Sequence, residues 1–316
     1  MLHTLAALRG LRVLVLDLMD ASPAVLLDAL SLDPLTQLHH LTSLHIVSSP
    51  PTLPRPGGGS FKKFSHLRNL SVSVTSSLKR APPAPSPMPW LLLMEDLPSP
   101  LMALCVYGAH LLWVEPCPPR LPPGLLHLWL AHCWLPGAVR VPGLVAALPA
   151  GLQTLVVRAT PHMAHAALPL QEEDTAQHQW AQGLGRLQEL SCLGLAAHTY
   201  QGDLLGCVSA LRALRHLVLS YDEAEGEEPG AMGRWLSLLA DLSSCCQHTP
   251  SLRSLLLPSA AGSDHDLLLW QAQLQQVAPF ITIRVVDEHR IWEGRTPVGA
   301  AEGEEQWWEW DLYSTL

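Results

Sequence analysis

The chain has 316 residues, of which 48% are hydrophobic and 15% charged. It is therefore long enough to bury a large core. No stretch reaches the roughly 18 to 20 consecutive apolar residues that a membrane-spanning helix needs, and the first residues lack the basic and apolar regions of a secretion signal. These features argue against a membrane protein and predict a cytoplasmic one, with the nucleus or a cilium or axoneme as other intracellular sites.

The net charge is −9, and most of the acidity lies in the second half of the chain. Residues 1–170 carry 11 basic and 7 acidic side chains, whereas residues 171–316 carry 8 basic and 21 acidic ones. A net negative charge repels a polyanion. We therefore expect no binding of nucleic acid along the length of the molecule.

Leucine accounts for 64 of the 316 residues, whereas there are only four isoleucines and three phenylalanines. A core built from one residue type predicts a small packing unit that is used many times. The pattern L-x-x-L-x-L, typical of a strand that follows a turn, recurs with its middle residue 24 to 38 positions apart. The units are Leu11-Leu14-Leu16, Leu41-Leu44-Ile46, Leu67-Leu70-Val72, Leu101-Leu104-Val106, Leu125-Leu128-Leu130, Leu152-Leu155-Val157, Leu190-Leu193-Leu195, Leu214-Leu217-Leu219, Leu252-Leu255-Leu257 and Phe280-Ile283-Val285.

Residues 5–286 resemble the leucine-rich-repeat family through these units. The L-P-x-x-L segments that begin at Leu97, Leu121 and Leu148 are similar to its short-repeat variant. The resemblance implies an α/β fold: a leucine-rich-repeat solenoid (horseshoe) with about ten repeats, a parallel concave sheet, and helices or extended segments on the convex side. Three residues after the last leucine of each strand, the family usually carries an asparagine or cysteine whose polar group bonds to the backbone of the turn. In this sequence only Cys133 has one of these residue types at that position.

Four segments between the strands are predicted to be helices, because they combine apolar residues at helical spacing with favourable caps or acidic first turns. They are residues 23–32, 171–187, 232–246 and 264–277. Residues 50–59 and 81–89 are rich in Pro, Gly or Ser and are expected to be flexible excursions.

We expect one leucine-rich-repeat domain over residues 1–290, followed by an acidic, tryptophan-rich tail over residues 291–316. Solenoids need a polar cap over each end, yet the first repeat begins close to Leu5. A missing segment or a covering partner would each explain this start. Two interpretations of the tail also remain: its aromatic side chains fold over the last repeat as a cap, or they form a free docking peptide.

The sequence contains no motif of a phosphate loop, a dinucleotide fold, a nucleophile elbow or a zinc protease. His162 with His165, and His132 with Cys133, have local spacing suited to a metal, but neither pair has the further ligands that a site needs. The seven cysteines lack CxxC pairs, which predicts reduced thiols. We therefore expect no catalytic residue, no metal and no cofactor.

Strand alternation predicts the surface of the sheet that faces away from the leucines. This concave face is mostly small and nearly uncharged, but residue types that anchor protein interfaces stand on three consecutive strands near its middle. We predict a partner-binding site there, formed by Tyr107, His127, Trp129 and Arg158. The other interpretation is that the aromatic pair only covers a shallow concavity or meets a loop at residues 57–63.

The sequence thus predicts a non-catalytic protein-protein interaction module. Among leucine-rich-repeat proteins, the irregular units are most similar to the substrate-recognition region of F-box ubiquitin-ligase adaptors, and the resemblance implies a ligase-core subunit as a partner only if an N-terminal F-box is missing from this chain. The alternative is a structural scaffold, cytoskeletal or ciliary. An effector with an L-P-x-x-L repeat and a catalytic ligase domain is disfavoured, because we expect no further domain after Val286.

Overall fold

The structure of the protein is a computed structural model. The described residues are 7–18, 32–48, 61–74, 91–112, 120–133, 141–159, 182–196, 208, 210–220, 246, 249–258, 271–276 and 278–286. The chain forms two compact units, Met1–Leu190 and Ser191–Leu316. The predicted tail at residues 291–316 lies outside the described residues.

The first unit contains eight described strands, all paired in parallel. They are β1 (Val13–Leu18), β2 (Ser43–Ser48), β3 (Asn69–Val74), β4 (Leu91–Leu93), β5 (Ala103–Tyr107), β6 (His110–Leu112), β7 (His127–Cys133) and β8 (Thr154–Ala159). Six of them form one sheet in the order β1-β2-β3-β5-β7-β8, while β4 and β6 pair with each other in a small second sheet. This second sheet has no counterpart in the sequence prediction.

The second unit contains four described strands, and these too are parallel. They are β9 (Cys192–Ala196), β10 (His216–Ser220), β11 (Ser254–Pro258) and β12 (Thr282–Val286), and they pair in that order. Together with the first unit, every one of the ten predicted L-x-x-L-x-L strands is present. The prediction of parallel strands is confirmed.

In each unit, one face of the sheet formed by the patterned strands is packed with their leucines, and we call it the leucine face. Leu44, Leu104, Leu155 and Leu217 have no exposed surface at all. Burial of one such side chain contributes roughly 1.5 to 3 kcal/mol to stability. The face therefore supplies the main driving force for folding of each unit.

A pair of backbone hydrogen bonds recurs at the start of the strands. The carbonyl oxygen of the residue just before one strand accepts bonds from two successive N–H groups at the start of the next, at 2.7 to 3.0 Å. Thr42 and Ser43, for example, both donate to the carbonyl of Arg12. The other carbonyls that accept two such bonds belong to Thr42, Arg68, Met102, Leu126, Ser191 and Arg215.

A tight turn also precedes each of the ten strands of the repeated pattern. In nine units the N–H of the first patterned leucine donates to the carbonyl three residues earlier, as from Leu41 to Leu38. The tenth unit differs from the prediction, because this bond starts at Ile281 rather than Phe280. Ile281 is consequently buried in the core position, and Phe280 is 54% exposed.

The described helices agree in part with the prediction. Residues 182–185 and 271–276 are helical and fall inside two predicted helices. Helix α1 (Val141–Ala147) was not predicted, nor were three 3₁₀ turns at Asp33–Gln37, Phe61–Lys63 and Met94–Asp96. The predicted helices at residues 23–32 and 232–246 lie outside the described residues except for their last residue, and so do the excursions at 50–59 and 81–89.

The turn after β5 depends on a glycine and a thiol. Gly108 has φ 71°, a conformation that disfavours side chains, and an added Cβ would collide with the carbonyl oxygen of Val74. Its N–H donates to the carbonyl of Ala131 at 2.9 Å. The thiol of Cys133 donates to the carbonyl of Val106 at 3.3 Å, so this cysteine satisfies backbone beside the same turn.

We expect Gly108→Ala to lower the free energy of unfolding by about 2 to 3 kcal/mol, because it combines backbone strain with a collision against fixed backbone. Urea denaturation followed by circular dichroism measures the loss. Gly185→Ala is the control: an added Cβ there meets nothing within 4 Å, so its change should stay within about 0.5 kcal/mol. Equal losses of stability in the two variants would contradict the conclusion that the turn requires a glycine at position 108.

Candidate functional site

The candidate site lies on the second face of the first unit's sheet, the face opposite the leucines. Strand pairing aligns the residues of this face in three rows that run across the strands. Row one is Val13, Ser43, Asn69, Ala103, His127 and Thr154; row two is Val15, His45, Ser71, Cys105, Trp129 and Val156; row three is Asp17, Val47, Ser73, Tyr107, Ala131 and Arg158.

The pairing brings the four predicted site residues together around Ala131. Tyr107 and Arg158 occupy row three on either side of this alanine. With about 4.8 Å between neighbouring strands, their Cα atoms lie roughly 10 Å apart. Trp129 and His127 precede Ala131 on the same strand, in rows two and one. The four positions therefore form a single patch three strands wide.

The buried residues at the centre of this patch are small and apolar, and its exposed surface comes from ring side chains. Ala131 and Val156 have no exposed surface, whereas Tyr107, His127 and Trp129 are partly exposed. A partner that contacts the patch would therefore meet two aromatic rings and one imidazole. Other residues of the second face are buried as well, among them Ala103, His45 and Ser71.

Hydrogen bonds between row-one side chains join neighbouring strands. The Nδ1 atom of His127 lies 3.1 Å from the Thr154 hydroxyl, and the Asn69 amide donates to the Ser43 hydroxyl at 2.9 Å. The second unit repeats the arrangement on its own second face, where Nδ1 of His216 lies 2.8 Å from the Ser254 hydroxyl. These pairs were not predicted, although a polar residue two places after the first leucine of several units was a visible signal.

Burial shifts the pKa of the ionisable groups on the second face. It lowers the pKa of His45 and His127, and burial with the nearby Arg215 charge lowers the pKa of His216 to about 4. These imidazoles are therefore neutral near pH 7. The Nδ1 atom of His45 has no hydrogen-bond partner among the described residues.

The pKa values of the thiols in the described strands are raised instead of lowered. Burial raises the pKa of Cys105 to about 11, against the smaller effect of a hydrogen bond with Ser71. Burial also raises the pKa of Cys133 and Cys192 to about 12. All three thiols are protonated at neutral pH and are poor nucleophiles or metal ligands in that form.

Among the described residues, no three His, Cys, Asp or Glu side chains stand close enough to hold a metal ion. The thiol of Cys133, in one of the two weak metal pairs, instead contacts the carbonyls of Val106 and Ala131. The other pair, His162 and His165, lies outside the described residues. No helix in the described part of the chain is long and apolar enough to cross a membrane.

No protein-family model matches the chain, and no curated protein matches it.

The three neutral histidines make stability depend on pH. In the unfolded chain their pKa returns to about 6.5, so below that value the unfolded state binds more protons than the folded state. Stability is therefore complete above about pH 6.5 and is lost as the pH falls toward the lowered folded values. We expect the urea midpoint to fall between pH 7 and about pH 5, where most carboxyl groups are still ionised. His216→Gln should reduce this pH dependence. If the urea midpoint of the unmodified chain were the same at both pH values, the predicted pH dependence would be contradicted.

Proposed function

We propose that each unit is a stretch of leucine-rich-repeat solenoid. The support is the repetition of one set of contacts: a tight turn, a buried leucine strand and a carbonyl that accepts two bonds from the following unit. Units that contact mainly their neighbours in this way are the hallmark of solenoids. The second face then corresponds to the concave surface of such a fold.

The function we infer is non-catalytic binding of a protein partner on the second face of the first unit. One observation carries it: Tyr107, His127, Trp129 and Arg158 converge around the buried Ala131. Tyrosine, tryptophan and arginine are the residue types most often found at the energetic centre of protein interfaces. Rigid rings also lose little conformational entropy when they contact a partner.

The hydrogen bond between His127 and Thr154 supports the same proposal. It joins β7 to β8 beside Trp129, so the strands that carry the patch are tied together by side chains as well as backbone. A patch held in place before binding costs less entropy to order when the partner arrives.

The partner class rests on the resemblance of the repeat units to F-box adaptors, and a ligase-core subunit is a partner only if an N-terminal F-box is missing from this chain. We propose a substrate-recognition part of a ubiquitin-ligase adaptor in the cytoplasm, and the competing role is an intracellular scaffold. Captured proteins separate the two: ligase-core subunits together with a degraded target support the adaptor, and filament or axonemal proteins support the scaffold.

We expect the double variant Trp129→Ala with Tyr107→Ala to reduce specific capture strongly. A photo-crosslinking residue at Ser73, which pairs with Tyr107 across the strands, would mark proteins that touch the patch in living cells. Quantitative mass spectrometry should show a loss of at least about tenfold for the true partner, which corresponds to about 1.4 kcal/mol. Because both rings are only partly buried, the free energy of unfolding should fall by no more than about 2 kcal/mol.

The matched control is Phe280→Ala, which removes an exposed aromatic side chain from the second unit. It should leave capture at Ser73 unchanged. The conservative variant Trp129→Phe should retain part of the capture. A large loss of stability with unchanged capture in the double variant would show that the rings are structural, and the proposal would fail.

A further inference from the structure

Basic side chains cluster on the turns that lead into β1, β2 and β3, at the edge of the sheet where these strands begin. We call this cluster the basic edge. It consists of Arg9, Arg12, His39, His40, His66 and Arg68. It lies where these strands begin and shares no residue with the patch around Ala131.

The repeated backbone contacts place these turns side by side. Each of the three turns is closed by the same hydrogen bond, from Leu11 to Leu8, from Leu41 to Leu38 and from Leu67 to Phe64. The residues that follow are linked in turn, because Arg12 accepts from the N–H of Thr42 and Thr42 accepts from the N–H of Arg68. Arg12 and Arg68 are therefore two strand spacings apart, roughly 10 Å between Cα atoms.

All six side chains of the basic edge are exposed. None of them forms an ion pair with a described acidic residue. The two neighbouring lysines are different, because Lys62 pairs with Asp96 at 3.8 Å and Lys63 with Asp33 at 2.5 Å. The three arginines of the basic edge are thus not neutralised within the described structure, while the lysines beside them are.

Within the described turns of the first unit that lead into its six-stranded sheet, the cluster is confined to three. The equivalent turns before β5, β7 and β8 carry no charged residue between the turn-closing residues and the strand. Met102, at the position equivalent to Arg12 and Arg68, is 36% exposed instead. The edge thus offers a patch of positive charge about 10 Å wide, bordered on one side by an apolar residue.

We propose that the basic edge binds an acidic peptide segment of a partner protein. Arginine forks match the geometry of carboxylates, and imidazole groups add hydrogen-bond donors. In an extended peptide, side chains two residues apart lie about 7 Å from each other on one side, so two carboxylates fit the width of the edge. A nucleic acid carries the same sign of charge, but a long polyanion also meets the net charge of −9 of this protein, whereas a short acidic segment contacts the edge alone.

The test is the binding of a fluorescein-labelled peptide with alternating glutamate and serine to the full chain, measured by fluorescence anisotropy. We expect the double variant Arg12→Ala with Arg68→Ala to raise the Kd about five- to tenfold, and Arg12→Lys with Arg68→Lys, which keeps the charge without the fork, to raise it less. Binding should weaken steeply as salt rises from about 50 mM to 200 mM.

Two variants serve as controls. Arg120→Ala with Arg186→Ala removes the same charge from exposed positions elsewhere in the first unit and should leave the Kd within about twofold. The Trp129→Ala and Tyr107→Ala variant should also bind the peptide normally, which separates this proposal from the patch around Ala131. Equal losses in both arginine pairs, no binding by the unmodified chain, or tighter binding of a single-stranded oligonucleotide of equal charge would each overturn the proposal.

Discussion

Before seven of the described strands, the preceding carbonyl group carries the interaction on which the rest of the fold depends. It accepts hydrogen bonds from two successive N–H groups at the start of the next strand. A carbonyl has two lone pairs, and both are used here. This contact fixes where the next strand begins, so it sets the register in which every side chain of that strand faces the core or the second face. A slip by one residue would turn all the leucines outward.

The strands were predictable because their signal is local and repeated. Alternating leucines after a turn read the same way in ten places, and parallel pairing follows when equivalent units stack. The turns were predictable only in hindsight: Leu35, Leu38, Leu41 and Leu44 show a spacing of three that matches a 3₁₀ turn running into a strand. Helix α1 was missed because Pro142 and Gly143 at its start weaken the helical signal of residues 141–147.

The position of the candidate site was predictable from the strand register, but its exposure was not. Alternation alone places Tyr107, Trp129 and Arg158 on one face. It cannot say that Val156 is buried while Trp129 is partly exposed, because burial depends on what lies above the sheet. Nor does it show that Ile281 is buried in place of the predicted Phe280, because the turn closes one residue later than the pattern indicates. Such shifts depend on backbone geometry that apolar spacing does not specify.

The spacing of the strand starts has a consequence for how this molecule can vary. From Leu104 to Leu128 the chain takes 24 residues, and from Ser191 to Arg215 it likewise takes 24, whereas from Leu217 to Leu255 it takes 38. Closing the longer loop costs only about 0.4 kcal/mol more in chain entropy, less than a single good hydrogen bond contributes. Insertions between strands are therefore nearly free in energy as long as the strand-start carbonyl still finds its two donors. The scaffold can lengthen or replace its connecting segments while the faces that meet other molecules stay in register.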